Sequence, residues 1–574
     1  MSDLKKMTPS EAFVEQLVAE GVSMVPGIVG SAYMDALDLF PTAGIRFLPV
    51  AHEQNAAHMA DGYARIRNEP TAVIAQNGPG ITNFVTAVAA AHAAHTPMVV
   101  VTPSAGSMGV GLGGFQEADQ LPIFSKITKW QVQVNRPERM AELLRRAFYL
   151  ARTERGPVQI DIPRDYFYGD YEYDVYTMPR VRPGAGDPEQ VQTAARALLN
   201  AERPVILAGG GVVQSDAVDD VRALAEFLSA PVACTYLHAD AFPYDHALAV
   251  GPLGYQGSKA AMKIVSEADV VLAIGTRINP FGTLPQHGME YWPTSATIIQ
   301  IDADHRTLGL TKKVQLALLG DAGLIAAQLL QVMREDGGPR PVRPAVMRRV
   351  AAEVEAWRRE LDSWSGKGGS PLSPRRALSA LRDALPENAI VATDVGNVCS
   401  VANSYLRSRQ PRKLLAAMTF GNCGYSYPTA LGAKLAAPGN PVVAYVGDGA
   451  WGMSLAEVMT AVREDIPVVA IVFNNAQWGA EKKNQIDFYD DRYVGTDLAN
   501  PDFAEVARAM GATGYTVDND TDLKDAFHSA LRSGKPAVLN VLIDSTELGE
   551  PFRRDALHPP TRHLEKYAHL AAQQ

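Results

Sequence analysis

Short runs of β-branched apolar residues recur along the chain, each followed by a Gly-rich turn and then a stretch with helical period. Val99-Val100-Val101, Val205-Ile206-Leu207 and Val442-Val443-Ala444-Tyr445-Val446 are examples. Continuous apolar runs of this length suit strands covered on both faces, and their alternation with amphipathic stretches predicts parallel α/β sheets. In such sheets ligands gather beyond the carboxyl ends of strands, so the residues just after these runs are where chemistry is to be sought. Two Pro- and Gly-rich stretches, 178–188 and 334–374, interrupt the alternation. The second carries Asp336-Gly337-Gly338-Pro339 and Gly366-Lys367-Gly368-Gly369-Ser370-Pro371 around a helix predicted near 350–361, and reads as an interdomain connector. Three domains are expected, over 1–180, 188–335 and 370–574, the last with a C-terminal tail.

One β-α-β unit draws attention first. The run 442–446 ends in Gly447-Asp448-Gly449, a helix is predicted over about 453–463, and a second buried run, 468–473, ends in Asn474-Asn475. Parallel neighbours bring Asp448 and Asn475 to one sheet edge, where a carboxylate and an amide oxygen suit a hard cation that also holds diphosphate oxygens. The glycines let a backbone approach phosphates closely. Gly-Asp-Gly alone also suits an ordinary turn. Near the amino terminus, a strand predicted over 47–50 leads into Ala51-His52-Glu53-Gln54, so Glu53 falls at a strand's carboxyl end. Alone, this glutamate suits a helix cap as well as a proton-transfer role. Asn77-Gly78-Pro79-Gly80 follows a strand predicted over 72–75, and Gly396-Asn397-Val398 follows the run Ala389-Ile390-Val391.

The separation of 27 positions between Asp448 and Asn475, with Gly479 beyond, and the segment from His52-Glu53-Gln54 to Met59-Ala60-Asp61-Gly62-Tyr63-Ala64-Arg65 resemble the thiamine diphosphate-dependent enzymes of the acetolactate synthase-like superfamily. The resemblance implies three doubly wound parallel-sheet domains (pyrimidine-binding, central and diphosphate-binding), with thiamine diphosphate and Mg²⁺ as cofactors. It implies that the side chains of Asp448 and Asn475 and the carbonyl of Gln477 ligate Mg²⁺. Gly447, Gly449, Ala450, Trp478 and Gly479 would border the cofactor, as would Gly78, Gly396, Asn397, Val398 and Gly421. Cys423 stands where relatives place the side chain that wedges the cofactor into a bent shape. Glu53 would be catalytic, a buried carboxyl of raised pKa trading a proton with the aminopyrimidine. Such enzymes build their sites at a subunit interface, which implies a homodimer or homotetramer.

The likeness covers nearly the whole chain and is nearest to the sulfoacetaldehyde acetyltransferase family. It is carried by 76–84, Gly113-Gly114-Phe115-Gln116-Glu117, 250–259, 275–281, Gly421-Asn422-Cys423-Gly424-Tyr425 and 477–485. The activity this implies takes a small anionic aldehyde and inorganic phosphate to acetyl phosphate and sulfite, with Phe115, Gln116, Arg277, Lys482 and Lys483 as candidates at the substrate. An acetolactate synthase-like carboligase, a 2-oxoacid decarboxylase and a non-catalytic cofactor-binding regulator are the alternatives. Leu207-Ala208-Gly209-Gly210-Gly211 in the middle domain suits a nucleotide turn or a tight structural one, and no functional flavin is expected.

Composition narrows the partners. A net charge of −10 with scattered basic residues speaks against a nucleic-acid surface or a polybasic membrane patch. No apolar run approaches the ~18 residues of a membrane span, and residues 1–9 lack a signal-peptide core, so a cytoplasmic protein is expected. Cys234, Cys399 and Cys423 match neither a zinc nor a disulfide spacing and are read as thiols.

Overall fold

The computed structural model describes residues 4–181, 183–338, 341–366, 369–416, 420–550 and 557–571. Three six-stranded parallel sheets account for the alternation of apolar runs. In the N-terminal sheet the spatial order is Arg46–Pro49, Met24–Gly27, Thr71–Ile74, Met98–Ser104, Pro157–Pro163, Gln131–Gln133. The central sheet runs Ala249–Leu253, Val232–Thr235, Pro204–Ala208, Val270–Ile274, Thr297–Asp302, Leu316–Leu319. The C-terminal sheet runs Leu414–Ala416, Ile390–Thr393, Val442–Gly447, Val469–Asn474, Ala537–Leu542, Thr513–Val517. Each is doubly wound: the chain starts in an inner strand, builds to one side, then crosses to the other. The crevice that this reversal leaves at the carboxyl ends is where ligands settle. In the C-terminal sheet it lies between Ile390–Thr393 and Val442–Gly447, the strands that deliver Gly396 and Asp448.

The N-terminal and C-terminal domains share one core. Met59, Ala60 and Tyr63 from the helix Glu53–Arg67 pack in the same cluster as Tyr427, Leu431, Val446 and Trp451. The helices Glu53–Arg67 and Ser426–Ala436 cross almost backbone to backbone. A Cβ on Gly62 would lie 2.0 Å from the carbonyl oxygen of Thr429, and one on Gly432 would lie 1.9 Å from that of Met59. Only glycine fits at either position.

Two expectations need correction. The predicted helix near 350–361 extends over Pro344–Ser365, and residues 334–337 finish the helix Ala322–Gly337, so most of the connector is helical. Pro344 occupies the first turn, where a missing N–H costs nothing, so proline marks the start of this helix and not a break. Its Trp357 and Glu360 meet His287 and Lys259 of the central domain. Pro339, Lys367 and Gly368 lie outside the described residues. The helix predicted over 453–463 is confined to Glu457–Arg463, preceded by the short turn Asp448–Trp451.

Candidate active site

Parallel pairing of Val442–Gly447 with Val469–Asn474 sets Gly447 opposite Phe473 and delivers Asp448 and Asn475 to one edge. Asp448 is buried. Its Oδ1 accepts from the Gly449 N–H at 3.0 Å, and its Oδ2 from the Gln477 N–H at 3.2 Å and Asn500 Nδ2 at 2.8 Å. Burial holds its carboxyl above the usual carboxylate range, and none of its partners is a cation. Asn474 points back into the fold, bonded to Asn540 and Asn500, which leaves Asn475 as the side chain beside Gly479. Between Asn475 and Gln477, Ala476 takes the left-handed conformation at φ 53° and turns the chain. The indole of Trp478 lies where a side chain on Gly449 would stand, 2.8 Å from a Cβ there.

Three further stretches close on this edge. Gly396, at φ 130°, starts the turn Asn397–Val401, and Asn397 exchanges two hydrogen bonds with Gly549 of the C-terminal stretch. Asp394, fully buried, accepts from the N–H groups of Val395, Gly424 and Ser426 at 2.9, 3.1 and 2.8 Å, tying the 394–398 loop to the 421–426 loop. Burial raises its carboxyl to about 6 despite these donors. Cys423 is half-buried beside it, its thiol pushed up to about 12 by burial and then by Asp394. A Cβ on Gly396, Gly421 or Gly447 would meet nothing within 4 Å, so these glycines border open space.

Glu53 starts its helix one residue after His52, whose Nδ1 accepts from the Gln54 N–H at 3.1 Å. The Glu53 side chain is 9% exposed; Oε2 accepts from Asn83 Nδ2 at 2.9 Å and Oε1 lies 3.1 Å from where a Cβ on Gly80 would stand. Gly78, at φ 69°, leaves no room for a side chain because a Cβ would approach the Gln116 carbonyl to 2.5 Å. Gln116 is also held by Gln76 at 2.8 Å and by Asn77 at 2.9 Å. Its neighbour Phe115 is 87% exposed.

Glu53, Gly78 and Gln116 therefore form one group, and Asp448, Asn475, Gln477, Gly449, Trp478, Gly396, Asn397 and Cys423 another. Among the described residues no hydrogen bond or ion pair joins Glu53 to Asp448 within the chain. Lys482 and Lys483, on the helix Gly479–Phe488, pair with Asp497 and Asp487, each at 2.5 Å. Arg277 stands apart from both groups. It lines a cavity of about 1080 Å³ between the N-terminal and central domains, together with Gly210, Gly211 and Asp302, and donates to the Ala93 carbonyl at 3.3 Å.

Family models of the thiamine pyrophosphate enzymes match all three domains: the N-terminal TPP binding domain over 7–123, the central domain over 191–329 and the C-terminal TPP binding domain over 394–541. The chain belongs to the thiamine pyrophosphate enzymes. Within this family it is 54% identical to a sulfoacetaldehyde acetyltransferase of Alcaligenes xylosoxydans xylosoxydans, over 98% of this chain and 97% of the relative. A second sulfoacetaldehyde acetyltransferase, from Castellaniella defragrans, is 53% identical over 98% of each chain. A probable acetolactate synthase large subunit of Methanocaldococcus jannaschii is 34% identical over 94% of this chain and 93% of the relative.

The residues present fit a thiamine pyrophosphate site. Asp448 is a buried carboxylate with no cation among its partners, at the strand edge that also holds Asn475, and this donor set suits a divalent cation; the open space beside the glycines at 396, 421 and 447 suits a diphosphate. Sequence reasoning missed Asp394, Asn500, Asn83 and Glu457. Asp394 directly follows the strand Ile390–Thr393, so the strand-end rule points to it; Glu457 is a carboxylate on an apolar helix face. Asn83 lies in a turn inside the 76–84 stretch that carries the resemblance but was given no role, and Asn500 lies in an irregular stretch without periodicity.

Proposed function

We propose that the chain is a thiamine diphosphate-dependent acyltransferase that converts sulfoacetaldehyde and inorganic phosphate to acetyl phosphate and sulfite. The observation that carries this reading is its 53–54% identity, over nearly the full length, to sulfoacetaldehyde acetyltransferases, against 31–34% to acetolactate synthase large subunits. The conversion balances without an external oxidant: the aldehyde carbon becomes an acyl carbon, its neighbour loses the C–S bond and gains hydrogen, and sulfite leaves with the electron pair.

When bound, thiamine diphosphate supplies a nucleophilic carbon for the aldehyde and a sink for the electrons that the departing proton leaves behind. Mg²⁺ would be held by Asp448, Asn475 and the carbonyl of Gln477, with Gly396, Asn397, Val398, Gly447, Gly449, Ala450 and Gly479 bordering the diphosphate. Trp478 packs on Gly449 and keeps that turn free of a side chain. Glu53 carries the proton on Oε1 while Asn83 steadies Oε2, and Gly78 and Gly80 leave room beside it. Gln116, fixed by Gln76 and Asn77, offers an amide to an anionic substrate, with the exposed Phe115 next to it in the loop. Lys482 and Lys483 would give up their carboxylate partners for a sulfonate or phosphate; Arg277 is left to the central cavity.

A second copy of the chain would complete the site by setting its Glu53 group against the Asp448 group of the first. In support, Met108, Leu112 and Phe115 stand 92, 79 and 87% exposed in the loop that leads to Gln116. The deciding assay supplies sulfoacetaldehyde with phosphate and follows sulfite and acetyl phosphate together. Equal yields of both are expected. Carbon dioxide release from pyruvate without sulfite formation would overturn the reading in favour of a carboligase.

A further inference from the structure

We propose that Glu457 is the positioning residue for Glu53. It belongs to the opposite domain, nine positions after Asp448, at the start of the helix Glu457–Arg463, and its side chain is fully buried. Oε1 and Oε2 each accept from the Ala51 N–H at 3.2 Å. Oε1 also accepts from the His52 N–H at 3.2 Å and from Asn55 Nδ2 at 2.9 Å, and Thr460 Oγ1 holds Oε2 at 2.6 Å. The donors from the N-terminal domain come from residues 51, 52 and 55, so they bracket Glu53 on both sides. Among the described residues no cation pairs with Glu457. Its charge is met by N–H groups and by the positive end of the fifteen-residue helix that Glu53 begins. The bonds fix the backbone from which the Glu53 carboxyl reaches Asn83 and Gly80. A shift of about 1 Å there would cost proton transfer on the order of a hundredfold, with no loss of contact to substrate.

The inference rests on the catalytic reading of Glu53, and a set of variants separates the two. Glu457→Gln keeps the shape but turns an amide N–H₂ toward N–H donors. In this variant, turnover is expected to fall by about ten- to a hundredfold with KM within about threefold of wild type. Deuterium exchange at the reactive carbon of bound thiamine diphosphate, read by quenching and proton NMR, should slow by the same factor, while calorimetry finds the cofactor's Kd unchanged. In a Glu53→Gln background, Glu457→Gln should add less than about a twofold further loss, whereas general structural damage would multiply. Should Glu457→Gln not fold, Asn55→Ala removes one donor of the same set and is expected to slow the exchange several-fold. Wild-type exchange and turnover in folded Glu457→Gln, alongside an inactive Glu53→Gln, overturn the positioning role alone. Full turnover in Glu53→Gln overturns the reading on which it rests.

Discussion

At the scale of single residues, the telling feature is a buried carboxylate that has only N–H donors for company. Asp448 is in that position, and a metal ion bound there would change its standing from a cost to an anchor. Asp448→Ala is therefore expected to abolish the rise in melting temperature that thiamine diphosphate and Mg²⁺ together produce, a rise equivalent to about 2.7 kcal/mol at a hundred times Kd in the wild-type protein. Differential scanning fluorimetry checks this, and a wild-type rise in the variant would remove Asp448 from the metal site. His58 makes a different point. It is fully buried on the Glu53 helix, with Nε2 2.9 Å from Asn422 Nδ2, and burial lowers its pKa to about 4 although Asp61 opposes the shift. The unfolded chain takes up this proton near pH 6.5 and the folded one only near pH 4. Stability is thus whole above 6.5 and falls as pH drops toward 4, by about 3 kcal/mol from this group. Denaturant titrations across that window should show a shallower slope for His58→Gln. The placement of Glu53, Asp448 and Asn475 just beyond strand ends was legible in the sequence because each follows closely on an apolar run. Asn500 was not, because its role depends on a loop folding back onto Asp448 from 52 positions away.

At the scale of elements, the strands were the legible part: β-branched runs of 4–6 residues between glycines have few other readings. The predicted strand over 442–446 and the observed Val442–Gly447 differ by one residue. Helices in Pro-rich surroundings were harder, since Pro344 starts a helix of 22 residues where composition alone suggests a linker. The loop that reaches Gln116 illustrates how an element can be ordered yet apolar on its outside. Glu117 accepts from the N–H groups of Gly111 and Gly114, which folds the loop on itself and turns Met108, Val110, Leu112 and Phe115 outward. Met108→Asp with Leu112→Asp is expected to shift the protein toward smaller species in sedimentation velocity at micromolar concentration, because two charges would have to be desolvated in the contact between copies. An unchanged sedimentation profile would show that this loop is not at the interface.

At the scale of the molecule, the N-terminal and C-terminal domains are held by a crossing that has no spare volume. Gly62→Ala would drive a methyl into the Thr429 carbonyl. The helices would have to part, at a cost of about 1–3 kcal/mol or more, and thermal unfolding should report a fall of several degrees. A melting temperature equal to wild type would mean that the crossing can relax. Nothing in the sequence announced it, since Gly62 and Gly432 are single glycines inside helical patterns and each is explained only by the backbone facing it.

The same crossing decides how the enzyme can open and close. Hinge or shear motions need an interface that slides, and here the carbonyls of Met59 and Thr429 fill the place where a side chain would otherwise cushion the movement. Glu53 and the turn bearing Asp448 in one chain must therefore travel together. Substrate admission then falls to the thin parts of the structure: the 106–117 loop, and the stretch that lays Gly549 across Asn397. Because each chain would hand its Glu53 to one cofactor and its Asp448 to another, a strain set up at one centre has a stiff path to the second.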